Sequence, residues 1–340
     1  MTTTGLLGCE RPLAEVYDLA LVDLDGVARR GDQPIEYAGE SLDQYRNAGQ
    51  QVVFVTNNAA LAPEDVAAQL TGIGVQAAPD EVMTAAQACG ALLRTQLEPG
   101  AKVLVIGGKG LVQAMEAEGF VVVTSAEDKP DAVAQGFAPH LAWKDLAEAA
   151  YAIEAGALFA ASNLDKSLPT ARGYAPGNGA LVGAVQAATG VTPQASGKPS
   201  PAMYQLAVTR AGATNPIVVG DRLDTDLGGA RAGGFPGLHV LTGVSSARDD
   251  VLADAAYRPH FISADLRGLL EPHPEPRLGN DGWWEVEGRR ARVTNGTLEL
   301  DDEGPTGINS VRAACAAAWA STDAGHPVDP TTVPEITVEA

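Results

Sequence analysis

Four short segments of the chain carry side chains suited to a single kind of chemistry. Asp23-Leu24-Asp25-Gly26 sets two carboxylates two residues apart across a tight turn. Thr56-Asn57-Asn58 offers a hydroxyl and two amides, and Gly197-Lys198-Pro199 offers an ammonium. Gly220-Asp221-Arg222-Leu223-Asp224-Thr225-Asp226 adds further carboxylates. Brought together, Asp23, Asp25 and Asp221 would repel one another strongly unless protonated or held by a cation. Ligands made of oxygen alone favour a hard divalent ion, and Mg2+ with few carboxylates, waters and a substrate phosphate fits best. Lys198 supplies a positive charge, while the Thr56 hydroxyl and nearby backbone N–H groups supply donors. The helix start at Ser200-Pro201 adds a positive dipole end beside the lysine. Such a set suits a phosphoryl group in transfer. Taken singly, each segment is explained as well by turn or capping chemistry. Their joint occurrence, in this order and each at a strand end or loop, carries the chemical reading.

The elements around them predict how they meet. LALV (19–22), QVVFV (51–55) and PIVVG (216–220) are short apolar runs, read as strands buried on both faces of a parallel sheet. In open parallel sheets ligands sit beyond the carboxyl ends of the strands, where three of the four segments fall. YAGESLDQYRNAG predicts a helix with Ala38, Leu42, Tyr45 and Ala48 on one face, and APEDVAAQLTGIG a helix with Pro63 at its first position. A second alternating set runs through KVLVIGG, GLVQAMEAEG, FVVV, DAVAQGF, a helix near 143–155 and GALFAAS. The pattern resumes after residue 195 with helices near 200–211 and 225–232 and the strand GLHVL. IGGKG (106–110) lacks the glycine spacing of a nucleotide loop and reads as a strand-to-helix turn. The Pro-rich stretch 271–280 reads as a linker. Beyond it, GWWEVEGRRARVTNGTLELDD predicts short strands with a hairpin turn at Asn295-Gly296. PTGINSVRAACAAAWAS then predicts a helix with Ile308, Val311, Cys315 and Trp319 on one stripe.

Composition bounds the function. At 340 residues the chain has length for two or three domains. Asp and Glu number 43 against 23 Lys and Arg, a net charge of -20, so neither nucleic acid nor a membrane surface is an expected partner. A small anionic substrate remains compatible, because local cations can dominate one pocket. Three scattered cysteines (Cys9, Cys89, Cys315), no long apolar run and no basic-plus-apolar leader together predict a cytoplasmic location.

The four segments resemble the four motifs of the haloacid-dehalogenase superfamily. TNN, GDRLDTD and the long insertion before Lys198 resemble its class IIA branch, the NagD-like and para-nitrophenylphosphatase-like phosphatases. SNLD (162–165) and PGNGALVGAVQAATG (176–190) resemble the same branch. The resemblance spans about residues 17–270 and implies an α/β, doubly wound parallel-sheet core over 14–83 and 195–271 with an inserted α/β cap over 84–194. A linker at 272–280 and a small C-terminal α+β module at 281–340 follow. It implies a Mg2+-dependent phosphomonoesterase working through an aspartyl-phosphate. Asp23 would be nucleophile and metal ligand. Asp25 would be general acid and then base, with its backbone carbonyl on the metal and a carboxyl proton affinity above that of Asp23. Asp221 would be the third protein ligand, with Asp226 behind it. Thr56, Asn57 and Asn58 would hold the phosphate, and Lys198 would neutralise it. Arg222, Leu223, Asp224 and Thr225 would line the same wall, while Asn163, Asp165, Arg172 and the loop 176–179 would read the alcohol.

The tail narrows the substrate. A class IIA phosphatase so extended resembles actinobacterial glycerol-3-phosphate phosphatases, which implies glycerol 3-phosphate. Phosphoglycolate, pyridoxal phosphate and nucleoside monophosphates are the alternatives within the class. A catalytically silent binding protein on the same scaffold is the alternative outside it. The tail lacks an RxxGxG-type pyrophosphate loop and is expected to pack or to mediate a homodimer.

Overall fold

The computed structural model describes residues 5–170, 172–301 and 306–338. Met1–Thr4, part of the stretch read for a leader, and Asp302–Pro305, between the last expected strand and helix, lie outside them. The chain begins with β1 (Leu19–Val22), α1 (Ala38–Asn47), β2 (Gln51–Thr56), α2 (Pro63–Gly72), β3 (Val82–Thr84) and α3 (Ala85–Arg94). It continues through β4 (Lys102–Ile106), α4 (Lys109–Ala117), β5 (Val121–Val123), β6 (Ala132–Gln135), α5 (Trp143–Glu154) and β7 (Leu158–Ala161). The hairpin β8 (Ser167–Thr170) and β9 (Gly173–Pro176) leads to α6 (Asn178–Thr189), β10 (Gln194–Ala195) and α7 (Ala202–Ala211). Then come β11 (Pro216–Gly220), α8 (Gly228–Gly233), β12 (Gly237–Val240), α9 (Ala247–Val251) and β13 (Phe261–Ser263). The tail holds β14 (Arg277–Leu278), β15 (Trp284–Val286), β16 (Arg289–Thr294), β17 (Thr297–Leu300) and α10 (Ile308–Asp323).

The chain forms two compact units. The first comprises residues 1–54, 70–76 and 208–340, and the second 55–69 and 77–207. In the first, parallel strands run in the order β13-β12-β11-β1-β2. Every residue of β1 is fully buried, as a strand covered on both faces requires, and this explains its uninterrupted apolar sequence. Val22 stands level with Val219 of β11 and Phe54 of β2, so the polar segments that follow leave the sheet at one edge. The helix expected near 225–232 differs in its first turn. Leu223–Leu227 is a π turn before α8 begins. The widening tucks Asp226 inward, where its Oδ2 accepts the Arg222 backbone N–H.

The second unit has its own parallel sheet, β10-β7-β6-β4-β5. Leu104, Ile106, Val133 and Phe159 from its strands pack with Val182 and Val185 of α6. IGGKG is the turn from β4 into α4. A Cβ on Gly110 would lie 2.2 Å from the Leu61 carbonyl oxygen, so glycine there permits close backbone approach.

The tail continues the first unit. β14 to β17 form an antiparallel sheet, and Asn295 (φ 52°) with Gly296 (φ 81°) make the expected two-residue turn between β16 and β17. α10 covers this sheet. Val311, Cys315 and Trp319 share one apolar core with Val286, Ala291 and Leu298, and also with Ala247, Val251 and Ile262 before the tail. The stretch 272–280, read as a linker, is tied down more firmly than its prolines suggest. His273 is buried, exchanges two backbone hydrogen bonds with Cys9 and contacts Arg312 of α10. The prolines mark the absence of periodicity, but the histidine between them supplies the anchor.

Two buried imidazoles make this arrangement sensitive to acid. Nδ1 of His260 accepts the Gly237 N–H, and His273 donates from Nε2 to the Gly268 carbonyl, leaving its Nδ1 to accept from Arg312. Protonation would set hydrogen against hydrogen at both Nδ1 atoms. Burial, reinforced by Arg231 and Arg312 respectively, pushes each imidazole down to about 4. Unfolded histidine titrates near 6.5, so between about 6.5 and 4 the unfolded chain binds protons that the folded chain refuses. Stability is therefore fully present above pH 6.5 and declines as pH falls to 4, by at most about 1.4 kcal/mol per pH unit for each histidine. Chemical denaturation across this range should show a shallower decline in His273→Gln than in the native chain; parallel profiles would contradict the assignment.

Candidate active site

The first unit gathers carboxylates at the carboxyl edge of its sheet. Asp23 follows β1 directly, and its backbone N–H donates to Val219. Asp221 follows β11, and Asp226 enters from the π turn. One carboxylate oxygen from each of the three lies within 4.8 Å of the others. Asp221 and Asp226 are buried, and Asp23 is half-buried.

Local structure leaves Asp221 little freedom. Its Oδ2 accepts the Val244 N–H at 2.7 Å, and its backbone carbonyl accepts from Ser245. A Cβ on Gly243 would lie 1.9 Å from Oδ2, and one on Gly26 would lie 2.2 Å from it. Gly220 meets Asp226 in the same way, since a Cβ there would lie 2.2 Å from the Asp226 Cβ. These glycines form a cradle that a methyl group would fill. Three acidic oxygen donors converging there, with no nitrogen or sulfur among them, fit a hard cation such as Mg2+.

The second unit assembles Lys198 with three of the expected polar residues. Asn57 lies at the centre. Its amide nitrogen donates to Asp165 Oδ2 and to the Lys198 carbonyl, and its amide oxygen accepts the Lys198 N–H at 2.8 Å. Asn163 donates to the Asn57 carbonyl at 2.7 Å. Both Asn57 amide hydrogens are thus committed to the protein, so its side chain positions the lysine segment. Lys198 is buried and its Nζ donates to the Val55 carbonyl. Gly197 fits between the Ser162 carbonyl and the Asn57 amide, where a Cβ would lie 2.4 and 2.8 Å away. Asn178 fastens α6 to this loop through the Asn163 carbonyl.

The remaining expected residues have other surroundings. Thr56 is buried and its hydroxyl oxygen accepts the Asn58 N–H. Asn58 caps the next turn, accepting from Ala60 and Leu61. The Asp25 side chain is 65% exposed and pairs with Arg29 at 3.1 Å. Arg222 grips Asp224 in a two-point contact at the surface, while Leu223 and Thr225 are buried. Arg172 is exposed beside the β8–β9 turn. Sequence reasoning passed over Thr242, Gly243 and Val244. Thr242 donates to the Gly26 carbonyl at 2.6 Å, joining the loop after β12 to the turn after β1. The signal was available, since Thr242-Gly243 follows the apolar run GLHVL as the other polar segments follow theirs.

Two substitutions check this geometry. Gly243→Ala should displace the Asp221 carboxylate and weaken Mn2+ binding at least tenfold by calorimetry; native affinity would show that the cradle is dispensable. Asn57→Ala should destabilise the fold by about 1–3 kcal/mol in urea unfolding, because the buried partners around Lys198 lose their hydrogen bonds. An unchanged midpoint would contradict the positioning role.

Comparisons with known proteins identify the family. Residues 20–121 match a haloacid dehalogenase-like hydrolase model, and residues 195–269 match a second haloacid dehalogenase hydrolase-like model. The chain is 43% identical to a D-glycerol 3-phosphate phosphatase of Mycobacterium tuberculosis over 91% of its length and 88% of the relative's. It is 34% identical to an acid sugar phosphatase of Staphylococcus saprophyticus over 75% of its length and 97% of the relative's. A solved structure of the M. tuberculosis glycerol phosphate phosphatase with magnesium superposes with a TM-score of 0.83, covering 91% of this chain and 92% of that one at 43% identity. A Thermotoga maritima 4-nitrophenylphosphatase gives 0.70 at 27% identity, covering 76% and 98%. With its strand-end carboxylates, Lys198 segment and inserted α/β region, the chain belongs to the haloacid dehalogenase-like hydrolases, as a Mg2+-dependent class IIA phosphatase.

Proposed function

We propose that this phosphatase hydrolyses glycerol 3-phosphate to glycerol and phosphate. The observation that carries this reading is the 43% identity to a D-glycerol 3-phosphate phosphatase across 91% of the chain, against 34% across 75% for an acid sugar phosphatase. Asp23 is the nucleophile. Its carboxylate oxygen forms a bond to phosphorus as the phosphorus–glycerol oxygen bond breaks, and Asp25 gives the leaving oxygen its proton. Asp25, now ionised, takes a proton from water. That water forms a bond to phosphorus, the bond to Asp23 breaks, and phosphate is released. Asp25 stands exposed beside Arg29, free of the packing that fixes Asp221, as a group that exchanges protons with an incoming ester and with water requires.

Lys198, Thr56 and the backbone around Asn57 and Asn58 hold the phosphoryl oxygens. Asp23, Asp221 and the Asp25 backbone carbonyl would hold Mg2+, with Asp226 beside them in the same cluster, and the ion would offset charge on the phosphoryl group. Asn163 and Asp165 act through Asn57, keeping the Lys198 segment in place. The core over 14–83 and 195–271 carries the chemistry, and the cap over 84–194 limits access to small esters. The tail packs as part of the fold. The protein works in the cytoplasm.

A panel of glycerol 3-phosphate, phosphoglycolate, pyridoxal phosphate and nucleoside monophosphates, assayed with Mg2+ and with EDTA, tests the proposal. The highest kcat/KM should fall on glycerol 3-phosphate, EDTA should abolish turnover, and Asp23→Asn should lower kcat by roughly three orders of magnitude or more. A clear preference for another ester would overturn the substrate. Equal inertness of native and Asp23→Asn protein on every ester would overturn the enzyme.

A further inference from the structure

A fully buried His–Asp pair stands directly behind the carboxylate cluster. His239, on β12, contacts the Asp250 carboxylate through Nδ1 at 2.8 Å, and both side chains have no solvent exposure. Its Nε2 lies 3.1 Å from the backbone carbonyl of Asp221. A carbonyl oxygen only accepts, so Nε2 carries a hydrogen and donates to it. This holds whichever group of the pair carries the proton shared at Nδ1. The Asp250 backbone carbonyl in turn accepts the indole N–H of Trp319 at 2.9 Å, from α10 of the tail. Trp319 and Cys315 pack against α9, which carries Asp250, and keep the pair dry.

We propose that His239 is a positioning residue for the metal site. Asp250 orients its ring, and its Nε2–H fixes the Asp221 backbone so that the Asp221 carboxylate meets the cation. This inference rests on Asp221 being a metal ligand. Two hydrogen bonds converge on the Asp221 carbonyl, from Ser245 and from His239, while a third reaches its carboxylate from Val244. The Ser245 and Val244 bonds come from the loop that follows β12. The histidine bond comes from the strand itself, from a side chain buried on all sides. A buried polar pair is costly unless each member is well partnered, and an apolar residue at position 239 would fill the space without that cost. The pair makes sense as a device that sets the ligand's geometry. Groups that orient a metal ligand in this way typically account for 10–100-fold in metal affinity. Through Trp319, the tail takes part in the same chain of contacts.

The test separates the two ring nitrogens. Glutamine places its amide near the position of Nε2 and asparagine near that of Nδ1. Mn2+ binding to the full chain, measured by calorimetry, should therefore stay within about threefold of native in His239→Gln and weaken about tenfold or more in His239→Asn. KM for the phosphate ester at saturating Mg2+ should be unchanged in both. Native affinity in His239→Asn, or equal weakening in both variants, would overturn the inference. Asp221→Asn is the control. Should it bind Mn2+ as the native protein does, the metal-ligand reading itself falls; should it lose binding while His239→Asn keeps it, only the positioning role falls. A readout that needs no variant is the 15N signal of His239 Nε2 during Mg2+ titration. It should move as the site fills, and an unmoved signal would count against the proposal.

Discussion

Three carboxylates within 4.8 Å of one another are the constraint on which the rest of this structure depends. Like charges at that distance are unfavourable in a partly buried setting, so the fold must supply the force that brings them together, and a bound cation would reconcile them. The force comes from the sheet. β1 and β11 are buried on both faces and paired in register, and burial of their apolar side chains holds Asp23 and Asp221 at adjacent strand ends. The glycines at 26, 220 and 243 then remove every Cβ that would push the carboxylates apart.

The second unit solves a different problem, which is to hold a buried lysine where a flexible loop would let it wander. Asn57 does so with one side chain, gripping the lysine segment on both its backbone N–H and its carbonyl. Asn163 and Asp165 hold Asn57 in turn. Such a network works only when every member is satisfied, which explains why three residues with apparent affinity for substrate are spent on one another.

Much of this was legible in the sequence, and the parts that were not share a cause. Unbroken apolar runs such as LALV and PIVVG announce strands buried on both faces, and Asn295-Gly296 announces its hairpin, because a local conformational requirement selects those residues. Asp23 and Asp221 were visible for the same reason, as acids placed immediately after such runs. The destination of a side chain is not local. Asn57, Asn163 and Asp165 advertise hydrogen bonding without saying to what, and the partners lie more than a hundred residues apart. His239 reads as one polar interruption in a strand until Asp250 and Trp319 are placed around it. His273 reads as part of a Pro-rich linker until Cys9 and Arg312 close on it.

The tail illustrates the same point energetically. Its small sheet could not bury a core alone, but α10 joins it to α9 and β13 in one apolar cluster, and Arg258 reaches from the core to Asp323 at the helix end. The tail is thereby bound to the strands that carry the acidic residues. The central claim, that those acids exist to grip a divalent cation, is tested most directly by anomalous diffraction from a crystal soaked in Mn2+. A single strong peak within coordination distance of Asp23 and Asp221 is the result expected. The absence of a peak there, or a peak held by other residues, would contradict the account.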